Sequence, residues 1–388
     1  MRLRPLTDAL PKPMISVNGR PFIEYVVEML REQGISRILF LLGYLPDPVV
    51  EHFGDGSHHG LEIEYAVSPE DDETGTRLRA ARALVDPLFL LAYCDNYWPV
   101  PLEALSAAYE RSGCPAMLTV YRNRDGYTRD NVRVEDGRIA LYDKGRTAPN
   151  LGGVDIGYGV FDHSVLDAIP PDGNPSFEAS VYPQLVAQQR LAAFETDHRY
   201  YSIGSIGRVA SAEAFLRRHK TVLVDRDGTL NVRMPRARYV TAWHEWQWIP
   251  GALQALADLT RAGYRICVLT NQPGVARGAL TAEDLAGING RMIAEAAAAG
   301  ARIDHVFACT HGWDDACGCR KPQPGLFFEA QRRYDLDLSR TPYIGDDDRD
   351  AEAARAAGSP FFRVDENVTI ANVAECLLRG ERSLASAF

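Results

Sequence analysis

From one end of the chain to the other, short apolar runs alternate with amphipathic stretches. Short runs bounded by turn residues read as buried strands and the stretches between them as helices. That alternation specifies an α/β protein built on mainly parallel, doubly wound sheets. In the first half the pattern predicts a helix over 22–33 and strands over 37–42, 61–67 and 88–93. It continues with strands over 154–161 and 191–194 and a helix over 210–219. A strand over 221–224 opens a second, self-contained series. Its strands, near 221–224, 265–270, 304–308, 341–344 and 360–364, alternate with helices near 250–262, 281–299, 324–335, 350–357 and 367–379. The domains are expected to be 1–218 and 219–388, within the two to three that 388 residues admit. No Gly/Ser-rich linker separates them, so packed halves are expected.

Composition narrows the function classes. Apolar residues make up 46% and charged residues 24%, the mix of a globular protein and not of a disordered one. No apolar run approaches a membrane span, and MRLRPLTDALPKP lacks the apolar core of a signal peptide. The reading is a cytoplasmic protein without a membrane partner. A net charge of −10 and the lack of an aromatic-basic patch argue against a nucleic-acid partner.

The sharpest chemical signal is VLVDRDGTLN, which places Asp225 and Asp227 directly after an apolar strand. Carboxyl ends of parallel strands are where α/β sheets bind ligands. Two aspartates one residue apart can divide the work: one attacks phosphorus while a cation holds it ionised, the other carries a proton. Three further strand ends join them in order. Thr270-Asn271-Gln272 offers small donors for phosphate oxygens. Arg320-Lys321 supplies a fixed cation. Asp346-Asp347-Asp348 is acidic enough for Mg²⁺. Separately, Cys309, His311, Cys317 and Cys319 give four soft or borderline ligands within eleven residues, a set that suits a closed, structural Zn²⁺ site.

This order of motifs over about 220–365 resembles the haloacid dehalogenase superfamily of phosphatases. The resemblance implies that Asp225 is the nucleophile, forming an aspartyl-phosphate, and that Asp227 is the general acid and then base. It also implies that Thr270 and Lys321 bind the phosphoryl group. Mg²⁺ would be held by Asp225, the Asp227 carbonyl and Asp346, with Asp350 as the second acidic position. The runs TNQPGVARG (270–278), RYV, WIPGALQAL and C-x-H…C-x-C-R-K-P are similar to the branch of heptose 1,7-bisphosphate and histidinol-phosphate phosphatases. The short cysteine loop is closer to the histidinol-phosphate type, and Asp347 stands where heptose enzymes commonly carry Lys. Arg277 and Arg320 are candidates for the sugar or its second phosphate.

The first half, over about 1–210, resembles sugar-1-phosphate nucleotidyltransferases. The residues that carry this are Arg4-Pro5-Leu6-Thr7, Lys12-Pro13-Met14, Thr74-Gly75-Thr76, 91–95, SFEASVYPQL and YYSIGS. The resemblance implies a nucleoside triphosphate partner, with Lys12 offsetting phosphate charge and Asp95 holding Mg²⁺. The Gly-rich phosphate loop of that family is absent, and Ser202 replaces its second metal-binding Asp. Little or no nucleotidyl transfer is therefore expected from this chain, together with a natural reading frame extending about fifteen residues upstream, one strand plus one loop. Two organisations stay open: successive enzymes of one nucleotide-sugar pathway, or a phosphatase with a non-catalytic binding module. Pairing with such a domain favours a sugar phosphate over histidinol phosphate as substrate. Pyrophosphate release would separate the two organisations.

Overall fold

The computed structural model describes the chain except residues 1, 2, 4–6, 8, 218, 236 and 382–388. Arg4, Pro5 and Leu6 of the opening motif thus lie outside the described residues. The chain divides into two compact units, Met1–Arg217 and Arg218–Phe388. No helix among the described residues is long and apolar enough to cross a membrane.

In the second unit five strands form one all-parallel sheet. Its order is Ile303–Cys309, Arg265–Asn271, Thr221–Val224, Tyr343–Gly345, Phe361–Arg363. Side chains alternate across a strand, and both faces are covered. Val222, Val224, Ile266 and Val268 pack with helices Ala252–Arg261 and Ile370–Leu378. Leu223, Cys267 and Leu269 pack with Gly325–Tyr334 and Asp348–Ala357. A strand buried on both faces has no polar alternation, which is why these strands read as continuous apolar runs. The strand ending at Asp225 is central, so the residues following it have neighbours on either side.

The first unit is also α/β, but its sheet is mixed. Six strands run in the order Leu88–Ala92, Val154–Asp162, Ala116–Tyr121, Leu191–Thr196, Arg138–Tyr142, Val132–Glu135. Only the Ala116–Tyr121 and Leu191–Thr196 pair is parallel. The sequence reading passed over the hairpin Val132–Glu135/Arg138–Tyr142, although Asp136-Gly137 is a strong hairpin turn. Both residues take positive φ, 48° and 72°, as the tight two-residue turn requires. Arg37–Leu42 and Glu62–Val67 pair in parallel as a separate two-stranded sheet. The helix expected over 210–219 runs instead over Ile206–Leu216, because the Ser205 side chain accepts from the Arg208 N–H and starts it earlier.

Candidate functional site

The carboxyl edge of the second unit's sheet opens onto a cavity of about 640 Å³. Asp225 lies at its base, directly after the central strand, its N–H bonded to the Ile344 carbonyl at 2.8 Å. Lys321 reaches it from the loop before Gly325–Tyr334: Nζ donates to Asp225 Oδ1 at 2.5 Å and to Tyr343 Oη at 2.6 Å, and lies 2.6 Å from Asp350 Oδ1. All three charged side chains are almost wholly buried, at 3% exposure for Lys321, 7% for Asp225 and 3% for Asp350. One cation thus faces two carboxylates and can neutralise only one. Burial, with Asp350 and Asp227 nearby, outweighs Lys321 and raises Asp225 above the usual carboxylate range. Lys321 stays charged: burial opposes the charge, but Asp225 and Asp350 prevail and raise its pKa.

Asp227 has the opposite environment. Arg226 approaches it through Nε at 3.1 Å and Nη2 at 3.2 Å, while Gln272 Nε2 donates at 2.6 Å, Asn231 Nδ2 at 3.1 Å and Thr270 Oγ1 at 3.3 Å. Burial alone would raise its pKa, but the Arg226 charge and these donors hold the carboxyl below its ordinary value. The protein's own groups thus favour the proton on Asp225 and the charge on Asp227, so the division of roles expected from sequence, with Asp225 ionised and Asp227 protonated, depends on the cation and phosphate that the resemblance implies. The reason is local: five donors surround Asp227, and Asp225 shares one lysine.

Oxygens of Asp225, Asp346 and Asp350 lie within 4.8 Å of one another, a hard donor set for a divalent cation. Asp346 packs against Gly228, where an added Cβ would stand 2.0 Å from Asp346 Oδ2. Gly228 also takes φ +102°, so only glycine fits there. Burial raises Asp346 to about 6 against the pull of Arg233. Asp347, where a lysine was anticipated from the resemblance, holds two arginines. It accepts from Arg349 Nη2 at 2.7 Å and Arg233 Nη2 at 3.0 Å and caps Asp348–Ala357. Positive charge thus reaches this corner through Arg233 and Arg349, which line the cavity with Arg238 and Arg320. Arg320 Nη1 is buried without a hydrogen-bond partner among the described residues.

The remaining expected residues divide clearly. Thr270 and Asn271 line the cavity, but Asn271 is also spent on Lys321, giving Nδ2 to its carbonyl and accepting its N–H, each at 3.0 Å. Gln272 is engaged by Asp227 and Thr270. Arg277 does not line the cavity; its guanidinium stacks 4.3 Å from the Trp313 ring centroid. Arg226, Asn231, Arg233, Arg349 and Tyr343 went unread in the sequence. The only hint was that an arginine between two aspartates must go somewhere.

The four candidate soft ligands converge. Cys309 Sγ lies 3.6 Å from His311 Nδ1 and 3.7 Å from Cys317 Sγ, and Cys319 Sγ lies 3.2 Å from His311 Nδ1. A tetrahedral metal with bonds of about 2.3 Å to sulfur has S–S edges of about 3.8 Å, so the set fits such an ion. In the first unit the structure brings Lys12 and Asp95 together as an ion pair, while Ser202 accepts from Arg208 at 2.8 Å.

The haloacid dehalogenase-like hydrolase family matches residues 172–358, and the nucleotidyl transferase family matches residues 1–125. The D-glycero-beta-D-manno-heptose-1,7-bisphosphate 7-phosphatase of Bordetella bronchiseptica is 42% identical over 139 residues, 36% of this chain and 76% of that protein. The protein of the same name from Rhodopseudomonas palustris is 35% identical over 176 residues, 44% of this chain and 96% of its own length. Among solved structures, the D,D-heptose 1.7-bisphosphate phosphatase of B. bronchiseptica complexed with magnesium and phosphate is 37% identical. The match covers 42% of this chain and 99% of that one, with a TM-score of 0.39. HddC from Yersinia pseudotuberculosis is 19% identical over 55% of this chain and 93% of its own, with a TM-score of 0.46.

Proposed function

The chain belongs to the haloacid dehalogenase-like hydrolases, and from that premise we propose that its second unit is an Mg²⁺-dependent sugar-bisphosphate phosphatase. The proposed substrate is D-glycero-β-D-manno-heptose 1,7-bisphosphate, which loses its 7-phosphate. The observation that carries this is Asp225 paired with Lys321 at the base of an arginine-walled cavity. A carboxylate at a strand end, beside a fixed cation, is placed to attack phosphorus, and the five arginines lining the cavity suit a substrate with two phosphates.

In the reaction proposed, an Asp225 oxygen bonds to phosphorus as the ester P–O bond breaks, and Asp227 gives its proton to the departing sugar oxygen. Asp227 then takes a proton from water as that water attacks the aspartyl-phosphate, which frees phosphate and restores Asp225. Asp225, Asp346 and the Asp227 carbonyl, with Asp350 close by, would hold Mg²⁺, whose charge when bound would keep Asp225 ionised. The dianionic phosphate settling beside Asp227 raises that carboxyl and places the proton where it is used. Lys321 and Thr270 bind the phosphoryl oxygens. Cys309, His311, Cys317 and Cys319 would hold Zn²⁺ and so fasten the loop leading into Arg320-Lys321, outside the chemistry.

The product would keep its 1-phosphate, the class of compound a nucleotidyltransferase-type unit accepts, and this favours a sugar over histidinol phosphate. The test is a panel of sugar phosphates and histidinol phosphate with Mg²⁺ and phosphate detection. The heptose bisphosphate should give the highest kcat/KM. A higher value for histidinol phosphate would assign the chain to the other branch.

A further inference from the structure

Two groups on the cavity wall have no role in phosphoryl transfer and no evident structural role. Trp313 lies between two members of the cysteine–histidine cluster, His311 and Cys317, and lines the cavity while remaining 48% exposed. Leaving a large aromatic half in water forfeits much of the burial it could have gained. Its ring is held: the Arg277 guanidinium lies 4.3 Å from its centroid, and Arg277 sits on the turn following the strand that carries Thr270, its N–H bonded to the Pro273 carbonyl at 3.1 Å. Tyr239 lines the same cavity, its ring so close to Gly274 that an added Cβ there would stand 2.9 Å from it. The Tyr239 hydroxyl is buried and has no hydrogen-bond partner among the described residues, a state that costs free energy unless a ligand completes it.

We propose that Trp313, steadied by Arg277, and Tyr239 form a sugar-recognition wall that sets the enzyme's preference for ring-shaped, polyhydroxylated phosphate esters. This rests on the phosphatase reading given above. A sugar ring presents C–H patches and hydroxyls together. The indole takes the apolar patch and the tyrosine hydroxyl takes a sugar oxygen, the pairing of apolar wall and sparse polar groups that ligand sites use. Arg277 therefore acts through Trp313 and is a positioning residue.

The experiment compares kcat/KM for the heptose bisphosphate with that for glycerol 3-phosphate, a monoester with no ring to stack, in the Mg²⁺-loaded full chain. In Trp313→Ala the ratio of the two should fall about tenfold, carried mainly by a higher KM for the sugar. Trp313→Phe should recover most of it. Tyr239→Phe, which keeps the ring, should lower the ratio several-fold. Arg277→Met should lower it in the wild type and add little in Trp313→Ala, since its effect runs through that ring. A ratio unchanged in Trp313→Ala, or, if that variant does not fold, unchanged in both Tyr239→Phe and Arg277→Met, would overturn the wall. If the wild type ignores the heptose bisphosphate but hydrolyses another ring phosphate, the substrate assignment fails. The same ratio measured on that ester still decides the wall.

Discussion

Replacing Lys321 with methionine tests the electrostatics at the base of the site. Methionine keeps most of the aliphatic stem, so the loss is mainly that of the charge and its bonds. Those bonds reach Asp225, Tyr343 Oη and the Leu269 carbonyl, with Asp350 as a second counter-charge. Removing one partner of a buried ion pair costs about 3–5 kcal/mol, because the other charge is left uncompensated. Protons can partly take its place, and the loss should therefore depend on pH. Burial already raises Asp225 above the ordinary carboxylate value of 3.8. A carboxyl with a raised folded-state pKa contributes stability that is full below its unfolded value and lost as pH rises through its folded one. Without lysine, Asp225 should hold its proton to still higher pH. At pH 8 the variant should lose the full amount, and at pH 5 less than half of it. The assay is thermal unfolding of protein dialysed free of Mg²⁺, followed on the transition that added Mg²⁺ shifts. A loss of this size should lower that midpoint by roughly 10 °C at pH 8. Equal losses at pH 5 and pH 8 would refute Lys321 as the counter-charge of two buried carboxylates.

Other perturbations address the separate parts. Asp225→Asn keeps the shape of the side chain but removes the nucleophilic charge; phosphate release should vanish while the melting profile persists, and turnover in a sample free of deamidation would contradict the assignment. Protein purified without added zinc should contain one tightly held Zn²⁺ per chain, and Cys317→Ser should lose it along with several kcal/mol of stability; metal content and melting both unchanged would dismiss the cluster as a zinc site. Arg233 lies 3.2 Å from Asp346 Oδ1, where it competes with a cation for that carboxylate. Arg233→Ala should tighten Mg²⁺ binding several-fold by calorimetry, and weaker binding would contradict that competition.

The chemistry of the second unit was legible because its residues sit at the ends of strands, where an apolar run stops at a polar one. Asp225, Thr270 and Asp346 were found this way; Lys321, expected at a strand end, lies instead in the loop between Ile303–Cys309 and Gly325–Tyr334 and was found by its place in the order of motifs. The cysteine–histidine cluster was legible from ligand type and spacing. What escaped depends on contacts distant in sequence. Arg226 separates two aspartates and could as well face solvent; that it turns inward to Asp227 and to Asn289, 2.9 Å away on Ala282–Ala298, has no local signal. Arg233 and Arg238 lie in an irregular segment with no periodicity to place them. Arg277 is a different case: a motif-like run offered it as a candidate for the substrate, but its stacking on Trp313 had no signal in the sequence. In the first unit the Asp136-Gly137 turn was readable and went unread, because expectation favoured parallel pairing.

The most direct test of the central claim is the regiochemistry of hydrolysis. The Mg²⁺-loaded protein is incubated with D-glycero-β-D-manno-heptose 1,7-bisphosphate and the products are followed by phosphorus NMR. The account predicts inorganic phosphate and heptose 1-phosphate in equal amounts, with neither formed by Asp225→Asn. Release of the 1-phosphate in place of the 7-phosphate, or an unreacted bisphosphate in the wild-type sample, would contradict it.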